Sequence, residues 1–498
     1  MSESSLVTLG LAFLVPLGFA LIAVSGQPTE RPRRAAVALF AAMSLAAIGY
    51  VLTGFALQFG GVGLTHDLPG FSGLIWEWSA LGPTWGPGWG MAGLVGWGFT
   101  GPAATSTAYA LALANLPWVM TAALIPLIGL RGRIPAWASI LLGLLLGAAL
   151  YPLAGNWIWG GGWLANLGAN LGLGHGYVDV AGAGLVHVLG AAAALAGILI
   201  FLPRRPKSAP HGQAPLPATR SPLLALLGVV ALLIGSFPWT VLNPLLPRES
   251  LDLNLMALNG VLVAAAAALV TLAYTWLVAG SPDPLMAARG IAAGFVAAAA
   301  FAPFVPPWAA LIVGAVIGLL TPLAVFTVDR LIRWDDPAAV LTVHGLGGVL
   351  GLLALGIFAD GKAGAGWNGV GVDSYLGVPG QGVTGLLAAA GYQPDWPAQM
   401  QAQGVGLAAL ALLGFFAAWL LLAPPAILMH LLRPQPVPVA PAAEVLIAPT
   451  ALPDVEASPA AKTIVEEDTP ATITAGTPSA PLEVAQGFSD YDDMAVAI

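Results

Sequence analysis

Two histidines in long apolar segments are the residues whose chemistry most needs explaining, because the 498-residue chain has only six histidines. His187 lies eight positions after Asp179, and His344 lies eight positions after Asp336. Each histidine follows a valine and is followed three residues later by a glycine. An ionisable side chain deep in a membrane span is costly, and by default it marks a functional site. The repeated spacing therefore predicts one site built from two parts of the chain.

Neutral imidazoles carry both a donor and an acceptor, and they titrate near neutral pH, so a pair of them suits a proton relay. The alternative is structural: each histidine packs in the core and each aspartate only caps a helix. Asp336 is followed by Pro337, which is an ordinary helix start. One such acid–histidine spacing could be coincidence, whereas two at corresponding places favour a function.

Composition sets the class of protein. Hydrophobic residues make up 58% of the chain and charged residues 8%, against roughly 25% charged residues in ordinary soluble domains. Apolar runs of membrane-spanning length recur, which predicts an all-α polytopic membrane protein. The absence of cysteine excludes disulfides and thiolate metal sites. No nucleophile–base arrangement indicates an enzyme, and no cofactor is predicted.

Eleven transmembrane helices are predicted. We read the first as a retained span rather than a cleaved signal, because no basic region precedes it and Glu3 does. The Gly- and Trp-rich segment 82–103 is assigned to a loop. The predicted spans are 6–24, 35–58, 104–129, 136–155, 179–202, 222–241, 253–279, 285–304, 307–329, 337–359 and 404–432.

Charge placement predicts the orientation of these spans. With the N-terminus outside, thirteen of the sixteen Lys and Arg residues fall in inner loops, two fall in outer loops and Lys462 lies in the tail. This division follows the positive-inside rule. We therefore expect a multi-pass protein of the plasma membrane, with its N-terminus outside and its C-terminus inside.

This topology gives the two histidines a common depth. Span five descends from the outer face and span ten ascends from the inner face. Eight residues of α-helix would place each histidine about 12 Å beyond its aspartate, near the middle of the membrane. That is the geometry of an inverted repeat, in which spans one to five are mirrored by spans six to ten and span eleven is extra.

The chain resembles the Amt/Rh ammonium transporter family from about residue 6 to residue 432. One matching stretch runs from Trp159-Gly-Gly-Gly-Trp163 to Asp179-Val-Ala-Gly and Val186-His187. The other runs from Asp335-Asp336-Pro337 to Val343-His344-Gly345 and Gly356-Ile-Phe-Ala359. The resemblance implies a homotrimer with one pore through each protomer, paired histidines lining that pore, and net uptake of ammonium. Methylammonium is a possible second substrate.

The resemblance also suggests roles for individual residues. Trp159 matches the aromatic residue that holds ammonium at the outer mouth, where cation–π attraction can act. Asp179 is expected to support this recruitment site from beneath. Relatives carry stacked phenylalanines above the histidines, and Trp118 and Trp239 stand there in this chain, with Phe237 adjacent. Asn243 falls near the serine of the outer mouth. The outer loop 360–403 is longer than expected and could cover the mouth.

Residues 434–498 form a second predicted region after the transmembrane domain of residues 1–433. The segment carries ten acidic residues against Lys462 and is rich in Pro, Ala and Thr, so we expect a disordered cytoplasmic tail. The C-terminal regulatory helix of the family is not recognisable. Binding of a PII-type signalling protein, if it occurs, would have to use inner-loop cations, notably Arg204, Arg205 and Lys207.

Two classes of function follow from the sequence. The first is a transporter that recruits ammonium, deprotonates it and conducts ammonia past the two histidines. The second is an ammonium sensor that signals through the tail. No kinase-like or cyclase-like domain follows span eleven in the sequence, which favours transport. A third, weaker alternative is an Rh-like gas channel for ammonia or carbon dioxide.

Overall fold

The computed structural model describes residues 3–26, 32–85, 88–202, 221–243 and 245–432. Within these ranges, eleven helices are long and apolar enough to cross a membrane, which is the number predicted. The predicted tail and the cations Arg204, Arg205 and Lys207 lie outside the described residues. Spans 1 to 11 are, in order, Leu6–Ser25, Ala35–Leu64, Ser106–Gly129, Ala136–Ile158, Ala183–Phe201, Pro222–Thr240, Leu253–Ala279, Pro284–Phe304, Pro307–Ile332, Leu341–Phe358 and Ala398–Leu431.

Five spans contain a π-helical segment, in which backbone hydrogen bonds join residues five positions apart instead of four. Such segments are rare and often occur at functional sites. In spans 5 and 10 the π-helical segment opens the span and carries the histidine. The segments are Tyr50–Gly54, Leu146–Leu150, Ala183–Val188, Thr327–Ile332 and Leu341–Leu346.

Spans 5 and 10 begin later than predicted. Span 5 starts at Ala183 instead of residue 179, and span 10 starts at Leu341 instead of residue 337. The aspartates precede these helices by four or five residues and cap them through side-chain oxygens. The distance estimated between aspartate and histidine assumed a complete α-helix, so it does not hold for this backbone.

The loops contain short elements that hydropathy does not predict. Strands Glu77–Ser79 and Gly90–Gly93 pair antiparallel, as do Ser374–Tyr375 and Val378–Pro379. The first hairpin and the short 3-10 turns Pro83–Trp85, Trp97–Phe99 and Gly101–Ala103 occupy most of the segment 82–103. This segment therefore forms a loop, as predicted. A short helix, Leu167–Leu171, lies between spans 4 and 5.

Close packing of the spans depends on small residues. A Cβ atom added at Gly147 of span 4 would lie 2.1 Å from the carbonyl oxygen of Ala46 in span 2. At Gly351 of span 10 it would lie 2.4 Å from the carbonyl oxygen of Ala297 in span 8. Lipid tails are as apolar as the helices, so association relies on van der Waals contact between closely approaching backbones. These glycines allow that approach.

We predict that Gly147→Val destabilises the protein, because the added side chain must push spans 2 and 4 apart. Overpacking of this kind costs about 1–3 kcal/mol. Gly260→Val in span 7 is the matched control, since a Cβ atom there meets nothing within 4 Å. Thermal unfolding in detergent should show a lower midpoint for Gly147→Val only. Equal midpoints for the two variants would contradict this account of the packing.

Candidate functional site

Asp179 fixes the start of span 5. Its Oδ1 accepts hydrogen bonds from the backbone N–H groups of Gly182 and Ala183 at 3.0 and 2.8 Å. Its Oδ2 accepts from Gly184 and Leu185, both at 2.9 Å. The first N–H groups of a helix have no partner within the helix, and this one buried carboxylate satisfies four of them. The position of the helix that carries the first histidine therefore depends on Asp179.

Asp336 has the corresponding place before span 10. Its carboxylate accepts from the N–H groups of Val340 and Leu341 at 3.0 and 2.9 Å. Here a cation is also present, since the buried guanidinium of Arg289 donates to the carbonyl oxygen of Pro337 at 2.5 Å. The start of each histidine-bearing helix is thus capped by a buried aspartate. The second aspartate also has an arginine close by.

His187 and His344 meet inside the helical bundle. Their Nδ1 atoms are 3.0 Å apart, the ring centroids are 5.1 Å apart, and the planes are inclined by 14°. Both side chains are fully or almost fully buried. A hydrogen bond between two Nδ1 atoms requires one ring to donate and the other to accept, so the tautomers of the two rings are coupled. The Nε2 of His187 has no hydrogen-bond partner within the described part of the chain.

Two phenylalanines enclose the imidazoles, and the sequence reasoning missed both. The ring of Phe19 lies 4.6 Å from that of His344 and 5.4 Å from that of His187. The ring of Phe295 lies 6.4 Å from that of His187. A signal for Phe295 was available, because it is a large residue in a run composed mostly of alanine and glycine. The surroundings of the histidine pair are therefore largely apolar and aromatic.

Three tryptophans lead from the histidines to one end of the bundle. Trp239 lies 6.2 Å from His187 with nearly parallel rings, Trp118 lies 5.9 Å from Trp239, and Trp159 lies 4.6 Å from Trp118. Two of them are anchored by hydrogen bonds to backbone carbonyl groups. Trp159 donates to Asp179 at 2.8 Å, and Trp239 donates to Ala181 at 2.9 Å. The structure therefore brings together the predicted residues Trp118, Trp159 and Trp239.

A cavity of about 450 Å³ lies at the end of this aromatic series, and we call it the vestibule. Trp159 and Asp179, from the loop between spans 4 and 5, both line it, together with segments of three other loops. It is large enough for a small hydrated cation. The lining residues are Thr65, His66, Ile158, Trp159, Gly161, Ala165, Asn166, Tyr177, Asp179, Asn243, Leu245, Leu246, Pro247, Gly366, Trp367, Asn368 and Gly369.

The remaining predicted site residues have different positions. Asn243 is buried and lines the vestibule, and its Oδ1 accepts from the N–H of Leu245 at 3.0 Å. Phe237 is 50% exposed and lies in a groove between spans 6, 7 and 8. The structure therefore does not place Phe237 with Trp118 and Trp239, although Phe237 and Trp239 are separated only by Pro238 in the sequence. Successive helical residues point in different directions, and Trp239 is the one that turns inward.

Two titratable groups in the loop before span 3 are shifted by burial. Burial lowers the pKa of His66, which lines the vestibule, so this ring is neutral at neutral pH. Burial raises the pKa of Glu77 to about 7, against the opposing effect of a hydrogen bond with Asn156. A neutral His66 does not repel a cation that enters the vestibule.

Comparison with known proteins identifies the family to which this chain is similar. The model of the Ammonium Transporter Family matches residues 5–431. Ammonium transporter Amt2 of Archaeoglobus fulgidus is 34% identical over 277 residues, which cover 55% of this chain and 59% of its own length. Ammonium transporter Amt1 of Haloferax mediterranei is 33% identical over 300 residues, covering 55% and 57%. The alignments thus span somewhat more than half the length of these curated relatives.

Solved structures show the same fold. A structure described as a sensor Amt protein superposes with a TM-score of 0.65 at 22% identity, covering 86% of this chain and 92% of that one. Mep2 from Candida albicans gives a TM-score of 0.64 at 20% identity and covers 86% of both chains. At these identities the likeness concerns the fold. The family match over nearly all the described residues, together with the buried histidine pair, leads to the conclusion that this chain belongs to the Ammonium Transporter Family.

Proposed function

We propose that this protein carries ammonium across the membrane, by recruiting the ion in the vestibule and passing ammonia beside His187 and His344. The observation that supports this most strongly is the contact between the two buried imidazoles, at the end of the aromatic series that starts in the vestibule. Trp159 belongs to both the vestibule and the series. Recruitment and passage would therefore share one continuous route.

The chemistry of the route favours a neutral permeant. A bare ammonium ion among Phe19, Phe295 and the tryptophans would lose hydration worth many kcal/mol, and aromatic faces replace only part of it. Ammonia carries no charge and needs only a hydrogen-bond donor and an acceptor. The coupled imidazoles supply both, and they can also serve as a relay for the released proton. Potassium cannot lose a proton, so the same route excludes it.

Recruitment at the vestibule would combine an aromatic face with a negative potential. Trp159 offers the face for cation–π attraction. Asp179 adds its charge without direct contact, because both carboxylate oxygens already accept backbone N–H groups. Among the described residues, the ion pairs involve Asp329, Asp335 and Asp360 but not Asp179. The field of this carboxylate therefore remains available to attract a cation.

The wider arrangement follows from the same proposal. The vestibule would face the outside, in agreement with the positive-inside division of Lys and Arg. Spans 1–5 and 6–10 would form an inverted repeat, since each half ends in a span that begins with a capping aspartate and a π-helical segment bearing histidine. Three copies would assemble as a homotrimer with a pore in each protomer.

Transport is tested in proteoliposomes that contain the purified protein. An imposed ammonium gradient should drive ammonium uptake into these vesicles faster than into protein-free vesicles, which neutral ammonia enters by diffusion alone. A sensor that only binds the ion would give no uptake above this background, and an Rh-like gas channel would conduct carbon dioxide as well. Methylammonium serves as a second substrate in the same vesicles.

We predict that His187→Ala and His344→Ala each reduce ammonium transport or its selectivity over potassium, because either change leaves one buried imidazole unpaired. The expected loss is on the order of a hundredfold, the usual contribution of a positioned proton-transfer group. His430→Ala is the matched control, since this histidine is exposed near the end of span 11. Unchanged ammonium-over-potassium transport in both pore variants would refute the relay.

We predict that Asp179→Asn sharply lowers transport while the protein still folds. An asparagine has one acceptor oxygen, so two of the four N–H groups lose their partner at a cost of about 1–3 kcal/mol each, and the negative potential of the vestibule is lost. Asp252→Asn is the control, because Asp252 caps the start of span 7 through one carboxylate oxygen and is exposed. Normal transport by Asp179→Asn would remove this residue from the mechanism.

We predict that removal of residues 440–498 leaves basal transport intact, because the histidine-bearing spans end at Phe358 and span 11 ends at Leu431. Any contact with a PII-type protein would then rely on inner-loop cations and would weaken as salt increases. The measurement is ammonium uptake by full-length and shortened protein at equal density in vesicles. A shortened protein that assembles as a trimer but transports no ammonium would show that the tail is an activating element.

A further inference from the structure

The loop between spans 10 and 11 contributes a rigid edge to the vestibule. Residues 366–369 line the cavity, and we call them the rim turn. Trp367 is 5% exposed, and its ring packs edge-on against Phe304 with centroids 5.3 Å apart. Its backbone N–H donates to the carbonyl oxygen of Gly364, and the N–H of Gly364 donates to that of Ser250. The rim turn is therefore fixed to the end of span 8 and to the loop before span 7.

Asn368 has a backbone conformation in this turn that few residue types adopt. Its φ is 53°, in the left-handed region that asparagine tolerates better than most residues. Its Nδ2 donates to the carbonyl oxygens of His175 and Tyr177, at 2.8 and 3.3 Å. Two carbonyl acceptors on one side fix which end of the amide carries nitrogen. The Oδ1 atom is therefore on the other side, and no described residue donates a hydrogen bond to it.

Two other side chains that line the vestibule use their oxygens to accept backbone N–H groups. Asp179 uses both carboxylate oxygens for backbone N–H groups, and Asn243 uses its Oδ1 for the N–H of Leu245. Asn166 also donates to two carbonyl groups through its Nδ2, and its amide packs closely against Gly88. The Oδ1 of Asn368 differs from those of Asp179 and Asn243, because Asn368 lines the cavity and no described residue donates a hydrogen bond to this oxygen.

We infer that the Oδ1 of Asn368 accepts a hydrogen bond from ammonium in the vestibule, which makes Asn368 a substrate-binding residue. The inference rests on the proposed recruitment of ammonium beside Trp159. An ammonium ion has four N–H donors, and an aromatic face can satisfy only part of them. A fixed amide oxygen at the cavity wall supplies an acceptor whose orientation is set before the ion arrives, so binding does not have to order it.

Asn368 could instead act only by positioning the backbone of residues 175–177, which leads directly to Asp179. Tetramethylammonium distinguishes the two roles. This cation binds aromatic faces by the same attraction as ammonium but has no N–H group to donate. A residue that merely shapes the vestibule affects both cations, whereas a hydrogen-bond acceptor affects ammonium alone.

The experiment compares wild type with Asn368→Gly in proteoliposomes, since glycine adopts the left-handed backbone at no steric cost. The KM for ammonium and the inhibition constant of tetramethylammonium are measured in the same preparation. We expect the KM to rise about five- to tenfold, the scale of one hydrogen bond to a charged group partly replaced by water. The inhibition constant should stay within about twofold, and maximal uptake should be unchanged.

Gln381→Ala is the control for loosening of the loop. Gln381 is buried and holds the same loop through Thr384 and Gln393, but it does not line the vestibule. Its replacement should change the two constants by the same factor. Equal changes in both constants for Asn368→Gly, or no change in either, would overturn the inference. Absence of ammonium uptake by wild type would instead refute the proposed function.

Discussion

A contact between two buried imidazoles is the interaction on which the rest of this structure depends. The Nδ1 atoms of His187 and His344 are 3.0 Å apart in an apolar interior, where a misplaced polar group would be costly. Each ring belongs to a helix that begins among buried residues. Such a helix start needs partners for its first N–H groups, and Asp179 and Asp336 provide them. The π-helical turns that follow carry the rings.

The two aspartates are alike in their contacts with backbone but differ in their surroundings. Asp336 has the buried guanidinium of Arg289 close by, bonded to the next residue, Pro337. Asp179 lines the vestibule and takes part in none of the ion pairs found among the described residues. The carboxylate at the vestibule is therefore not paired with a cation, whereas the other has a guanidinium close by. In the proposed function, this difference makes the vestibule the more favourable entrance for a cation.

The sequence predicted the class of fold and the centre of the site because both depend on strong, local signals. Hydropathy identified all eleven spans, and the repeated Asp–His spacing identified the pair that the structure brings together. The starts of spans 5 and 10 were misplaced, because a capping carboxylate that precedes a π-helical turn resembles an ordinary N-cap in sequence. Phe237 and Trp239 were grouped by proximity in the chain, which does not determine which ring faces inward.

Other parts of the site depend on contacts between distant segments, which a single sequence does not show. Phe19 comes from the first span and touches both imidazoles, although nothing in its local sequence marks it. Asn368 reaches the backbone of His175 and Tyr177 across 193 and 191 positions, respectively. The long loop was expected as a possible cover for the mouth. In the structure it contributes Trp367 and Asn368 to the vestibule wall.

The central claim is that a cation enters the vestibule but only a neutral molecule passes the aromatic series and the imidazoles. Potassium tests this most directly, because it can bind an aromatic face but has no proton to release. The measurement is potassium flux through wild-type protein in proteoliposomes, at a steep potassium gradient and with ammonium flux recorded in the same vesicles. We expect ammonium flux together with potassium flux no higher than in protein-free vesicles. Potassium flux that rises in proportion to the amount of protein would contradict it.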